Sequence, residues 1–316
     1  MFEGKSVAVV IPAYNEELLI GRVLSTMPAF VDHLIVINDC SKDRTREIVE
    51  EFQMRDPRIV LINHQPNKGL GQSLIDGYLE SRRLDSDITA VMAGDAQMNP
   101  DDLTVIVEPV ASGQADYAKG NRLLRQEVYS RMPKHRLFGN AGLSLLTKFA
   151  TGYWHLIDPQ CGYTAIGKKA LGKIPIERMT KGYGYNADIL NMLNFANFRV
   201  RDVEVEPVYG EEQSKIKLRS YIPKVSALLV RLFVSRMVGK YLIRDFNPLV
   251  LFYAFSVLNL GLLSPILFVR LVLIYFHLGV VPTTTLMLLN FAVMMGFLFF
   301  FFAMWLDMED NRRLRG

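Results

Sequence analysis

Between Asp245 and Asp307 the chain carries a single charged residue, Arg270. Residues 246–269 make 24 uncharged positions and residues 271–306 another 36. At roughly 1.5 Å per helical residue, each run can cross a hydrocarbon core about 30 Å thick. We expect spans near 247–269 and 283–306, joined by a turn around 277–282. A helical hairpin packed in a soluble core is the alternative, but these runs supply no polar outward stripe.

Nearly all of the 36 Lys+Arg and 32 Asp+Glu lie before this tail. The net charge of +4 gives no bulk reason to expect nucleic acid as a partner. Its distribution says more. Eight cations, Lys215, Lys217, Arg219, Lys224, Arg231, Arg236, Lys240 and Arg244, fall in residues 215–244 with no acid among them. Such a run before a span marks the cytoplasmic face, and Arg312, Arg313 and Arg315 repeat the sign after the second span. We expect an integral membrane protein with both hairpin ends, and a domain at 1–214, on that face. Residues 215–245 then read as interfacial helices, 246–306 as a two-span hairpin and 307–316 as a basic tail; solvated surface helices are the alternative for 215–245. Cys40 and Cys161 make no disulfide framework, and residues 1–6 show no signal-peptide pattern. Self-association of the spans into a homo-oligomer stays open, since no clear small-residue motif marks it.

In the front part, apolar β-branched runs at 7–11, 34–37, 59–62 and 88–92 alternate with helical stretches at 18–27, 45–54 and 70–83. This predicts an α/β fold, a Rossmann-like and mostly parallel sheet with right-handed crossovers. Residues 115–119 read as a further strand, 136–151 as a helix, and 158–164 and 182–188 as loops. Ligands of open α/β sheets bind beyond the carboxyl ends of the strands. Tyr14-Asn15-Glu16, Asn38-Asp39, Asn67-Lys68-Gly69 and Asp95 with Gln97 all fall there. One such cluster could be an ordinary turn; four on one edge argue for a site.

Pro12-Ala13-Tyr14-Asn15-Glu16, Asn38-Asp39-Cys40-Ser41 and Gly94-Asp95-Ala96-Gln97, in this order and spacing, resemble the family 2 inverting glycosyltransferases of GT-A fold. With the basic segment and C-terminal spans, the chain resembles their dolichyl-phosphate mannosyltransferase and polyprenyl-phosphate glycosyltransferase branch. The resemblance implies a UDP- or GDP-sugar donor held by Pro12, Tyr14, Glu16, Asn38, Asp39, Lys68, Gly71 and Gly94, with Asp39 on the base. It implies Mg²⁺ or Mn²⁺ at Asp95 and Gln97. The family's Asp-Xaa-Asp reads Ala93-Gly94-Asp95 here, so the first acid is missing; should Asp95 merely cap a helix, Asp101 is the better cap. A polyprenyl or dolichyl phosphate acceptor is implied, with phosphate-binding arginines at Arg122 and Arg136 and, at Lys215, a basic loop that closes over the diphosphate; a solvated surface cation is the alternative for each. Asp158, favoured over Asp188, is implied for acid–base or sugar-orienting work, a turn-capping Asp before Pro being its competitor.

Two other functions compete. One is a synthase that extends a polysaccharide or glycosylates a different lipid acceptor; such processive enzymes usually carry Gln-Xaa-Xaa-Arg-Trp, and neither Trp154 nor Trp305 fits that pattern. The other is a non-catalytic subunit that binds nucleotide sugar or recruits a partner to the membrane, which would tolerate the missing first acid at Ala93. The five histidines show no metal-ligand spacing, and Gly69-Leu70-Gly71-Gln72-Ser73 lacks the lysine of a phosphate-binding Walker loop.

Overall fold

β1 (Val7–Ala13) has no solvent face. Val7, Val9 and Ile11 enter one core layer, and Ala8 and Val10 the other, as a strand pleat covered on both sides requires. The computed structural model describes the backbone of residues 1–124, 134–182, 184–206 and 218–316, and the side chains of these except 124–140 and 218–222. Two compact units divide it, residues 1–233 with 314–316, and residues 234–313.

In the first unit β1 is flanked in parallel by β2 (His33–Asn38) and β4 (Ile88–Val91), with Val10 opposite Ile35 and Val91. The sheet runs β3-β2-β1-β4-β6-β5-β7, where β3 is Ile59–Asn63, β5 Tyr117–Asn121, β6 Thr164–Gly167 and β7 Val200–Glu204. The sheet is mostly parallel, as expected; β6 is an exception, pairing antiparallel with β4 and β5. Only its first residue, Thr164, lies in the stretch 158–164 read from sequence as a loop, and four residues are too few to show an apolar alternation. The reading of 182–188 as a loop is also corrected, because a helix begins at Tyr185.

One face of the sheet is covered by α1 (Ile20–Ser25), α2 (Thr45–Gln53) and α4 (Leu103–Ala111). The other carries α3 (Leu70–Arg83), α6 (Lys168–Lys173) and α7 (Tyr185–Phe195). α5 (Lys134–Thr151) and the start of α8 (Leu218–Val238) close over α7 through Ala150, Ala187, Val225, Leu229 and Leu232. The last three residues return to this unit: Leu314 is buried in its core, and the Gly316 amide donates to the Val200 carbonyl at 3.1 Å.

The second unit holds two helices, α9 (Leu249–Leu278) and α10 (Thr283–Asn311). Among the described residues these two are long and apolar enough to cross a membrane, and their apolar side chains are mostly exposed, unlike those of a soluble core. α9 outruns the expected span of 247–269, so Arg270 lies within it, well before its end. The Arg236 guanidinium donates to both oxygens of Asp307 at 2.6 and 2.8 Å, and the pair is wholly buried. Tyr241 and Asn311 add hydrogen bonds to the same carboxylate.

α3 can approach β1 only because position 77 is glycine: a Cβ there would lie 2.2 Å from Val10 Cγ1. Gly77→Ala should destabilise the protein by about 1–3 kcal/mol, the range for overpacking a tight core. Thermal melting of the full chain in detergent checks this.

Candidate active site

The carboxyl ends of β1, β2 and β4 carry polar loops that satisfy one another. Asn15, with φ +56°, donates its amide to Ser41 Oγ and accepts from the Lys42 amide at Oδ1. The Glu16 amide donates to Thr45 Oγ1, which donates in turn to Asp43. Cys40, with φ +61°, takes the left-handed turn that a glycine would adopt with less strain. The Gly94 amide donates to the Pro12 carbonyl, joining the β4 turn to the β1 loop. Tyr14 is exposed, while Pro12 and Glu16 are half-buried.

Asp39 is buried at the end of β2. One carboxylate oxygen accepts from the Lys68 amide at 2.7 Å and faces His64 Nδ1 at 2.8 Å; the other accepts from the Gly69 amide at 2.8 Å. His64 Nε2 lies 2.8 Å from Asp76 Oδ2, and Lys68 Nζ is 3.7 Å from the same oxygen. Asn38 bonds Asn63 across the strands. His64 had no motif to announce it; its only signal was a lone imidazole at a strand end. Gly71 supports the loop from behind, donating its amide to the Lys181 carbonyl, and a Cβ there would meet Thr180 O at 2.3 Å.

The β4 turn holds Asp95 half-buried and Gln97 exposed, with the Gln97 amide donating to Asp95 Oδ1 at 3.1 Å. The next helical turn is capped by Asn99, whose Oδ1 accepts the Asp101 amide, so Asp101 is not the cap anticipated for it. Among the described residues no group of three or more His, Cys, Asp or Glu could hold a metal. Asp95 with the Gln97 amide oxygen is nevertheless a hard-oxygen pair. It fits Mg²⁺ or Mn²⁺ when phosphate and water supply the remaining ligands, as they commonly do for Mg²⁺.

Arg122 and Asp158, separate in sequence, meet: Arg122 donates from Nε and Nη2 to the two Asp158 oxygens at 2.8 and 3.2 Å. Asp158 is 4% exposed, whereas the Arg122 side chain is 46% exposed and can reach a ligand. Tyr163 OH donates to the Asn99 carbonyl at 3.0 Å, tying the Asp158 loop to the segment that follows Asp95 and Gln97. Asp188 is occupied elsewhere, accepting both the amide and the hydroxyl of Thr180 at 2.7 Å. Lys215 lies outside the described residues, as does the side chain of Arg136, whose backbone is in α5.

Three residues without a motif underlie this pair. Lys119 is fully buried, and burial lowers its pKa to about 8. Burial likewise raises the Asp202 carboxyl to about 6. Asn121, also buried, donates to Asp202 at 2.8 Å.

The glycosyl transferase family 2 profile matches residues 8–174. A UDP-N-acetylglucosamine–dolichyl-phosphate N-acetylglucosaminyltransferase of Methanococcus voltae is 28% identical over 66% of this chain and 87% of its own. A polyprenol monophosphomannose synthase of Mycolicibacterium smegmatis is 29% identical over 57% and 69%. A dolichyl-phosphate beta-glucosyltransferase of Trichomonas vaginalis is 26% identical over 78% and 79%. Among solved structures, glucosyl-3-phosphoglycerate synthase of Mycobacterium tuberculosis, in complex with Mn²⁺ and UDP-glucose, superposes with a TM-score of 0.55 over 74% of this chain and 80% of that one, at 20% identity.

The raised Asp202 carboxyl has a consequence for stability. The folded state holds a proton there up to about pH 6 that the unfolded state gives up near 3.8, so this group's contribution falls as pH rises between the two values. Asp202→Asn should therefore melt higher than wild type at pH 7 and no higher at pH 4, as thermal scans at the two pH values would show.

Proposed function

The chain belongs to glycosyl transferase family 2, and from that premise we propose that it moves one sugar from a nucleotide-diphosphate donor to a polyprenyl or dolichyl phosphate at a membrane. One observation carries the reading. At a single sheet edge, the segment that follows the Asp95–Gln97 turn is tied through Asn99 and Tyr163 to the loop holding Asp158 and its partner Arg122, in a chain that continues into two membrane-length helices. The relatives named for dolichyl-phosphate and polyprenol acceptors support it.

An ionised phosphate already carries its nucleophilic oxygen, so the transfer needs orientation and charge screening more than a strong base. The lipid phosphate oxygen forms the new bond to the anomeric carbon from the face opposite the leaving group. The bond from that carbon to the diphosphate oxygen breaks, and its electron pair leaves with the nucleoside diphosphate, giving inversion. Arg122, held by Asp158, orients and screens the acceptor phosphate; Arg136 and Lys215 add positive charge. Asp95 and Gln97 would hold Mg²⁺ or Mn²⁺, which when bound neutralises charge on the diphosphate. The β1 loop with Tyr14 and Glu16 borders the nucleoside.

Asp39 selects the base. A carboxylate offers about four acceptor positions, and His64, Lys68 and Gly69 use three of them. One position suits the single imide N–H of uracil, whereas guanine presents two adjacent donors that call for both oxygens. We therefore assign UDP to the donor. The first unit is assigned to the cytoplasmic face. The basic run at 215–244 supports this, as does the return of residues 314–316 to the unit that the chain left before the hairpin.

Purified full-length protein with polyprenyl phosphate, Mg²⁺ or Mn²⁺ and radiolabelled sugar nucleotides should form an organic-soluble glycolipid from a UDP-sugar. Asp95→Ala should abolish turnover. UDP at 100 times its dissociation constant should stabilise the fold by about 2.7 kcal/mol, and GDP at the same concentration by much less. Absence of glycolipid with every donor would reject the function; equal stabilisation by GDP would reject the choice of base.

A further inference from the structure

β5 presents Lys119 and Asn121 on one face, two residues apart, and Arg122 follows directly. Lys119 and Arg122 reach the same five-residue segment, 157–161, directly, and Asn121 reaches it through Asp202. At its far end Lys119 Nζ donates to the Cys161 carbonyl and, at 3.1 Å, to Asn186 Oδ1 on α7. At its near end Asn121 Nδ2 donates to Asp202 Oδ2, and the same oxygen accepts the Ile157 amide at 2.7 Å. In the middle, Arg122 grips Asp158. We propose that Lys119, Asn121 and Asp202 act as positioning residues that clamp both ends of this segment and so fix where Asp158 and Arg122 meet the acceptor phosphate. The inference rests on the acceptor-side role given above to that pair.

The chemistry is costlier than a structural loop requires. A buried ammonium is expensive unless paired, yet the hydrogen-bond partners of Lys119 are a carbonyl and an amide, not a carboxylate. Among the described residues, Asp202 Oδ1 is buried without a hydrogen-bond partner. The two groups compensate one another at longer range. Lys119 senses Asp158 and Asp202 favourably, Arg122 unfavourably and the Cys161 thiol nearby; Asp202 senses Lys119 favourably and Asp158 unfavourably. Fixing dipoles and charges before the substrate arrives is what a displacement between two phosphates demands of its site.

The test uses full-length protein. Asp202→Asn can keep an oxygen where Oδ2 accepts both hydrogen bonds, while Asp202→Ala removes them and Lys119→Met removes the far anchor at similar volume. Since misplacement of about 1 Å can cost on the order of 100-fold, Lys119→Met and Asp202→Ala should lower kcat at least about 30-fold with the KM for the sugar nucleotide unchanged. Asp202→Asn should stay within about threefold of wild type. In an Asp158→Asn background the Lys119→Met loss should shrink to within about threefold, the non-additivity expected of residues acting through one another. Hydrogen exchange over 157–161 should quicken in Asp202→Ala and not in Asp202→Asn. Wild-type kcat in both Lys119→Met and Asp202→Ala, or losses that multiply in the Asp158→Asn background, would overturn the clamp. If wild-type protein makes no glycolipid, the acceptor reading fails while the exchange result still decides whether the segment is clamped.

Discussion

A central strand covered on both faces leaves its polar chemistry nowhere to go but past its carboxyl end. β1 is such a strand, and so is β5, all five of whose residues are buried. The site follows from this. The loops after β1, β2 and β4 converge because their strands are neighbours, and their polar groups must bond either to each other or to a ligand. Asn15 with Ser41, and Gly94 with Pro12, take the first course; Tyr14, left exposed, is available for the second.

Burial also sets the electrostatic character of the two halves. On the proposed donor side the carboxylate of Asp39 is met by backbone amides and by an imidazole shared with Asp76, so its charge is largely absorbed by the protein. On the proposed acceptor side the balance is struck among side chains, Lys119 and Arg122 against Asp158 and Asp202. The first arrangement suits recognition of a neutral base, where shape and single hydrogen bonds discriminate. The second suits phosphates, where the protein must offer positive potential without collapsing onto its own acids. Arg122 meets that need by keeping one face on Asp158 and nearly half its surface in solvent.

Much of this was legible in the residues, for identifiable reasons. Strands buried on both faces read as unbroken apolar runs, and four of them stood out with their polar ends attached. The uncharged tail was equally plain. β6 was hidden because four residues cannot display a period. Lys119 was hidden for the opposite reason: a lysine in a strand reads as a solvent-facing residue, and only the fold shows an amide and a carbonyl waiting for it. The contact of Arg122 with Asp158 joins positions 36 apart, which no local pattern encodes. Asp188, a candidate by its neighbours Tyr185 and Asn186, is instead committed to Thr180.

The return of residues 314–316 to the first unit bears on the order in which the protein is made. Leu314 is part of that unit's buried core and Gly316 bonds the start of β7, yet both are synthesised after the two apolar helices. The sheet edge at β7 therefore cannot be finished on the ribosome until the hairpin has emerged and, in a membrane protein, been handed to the bilayer. Completion of the domain is coupled to emergence of the hairpin by chain order alone, so a chain arrested before residue 314 carries an unfinished edge.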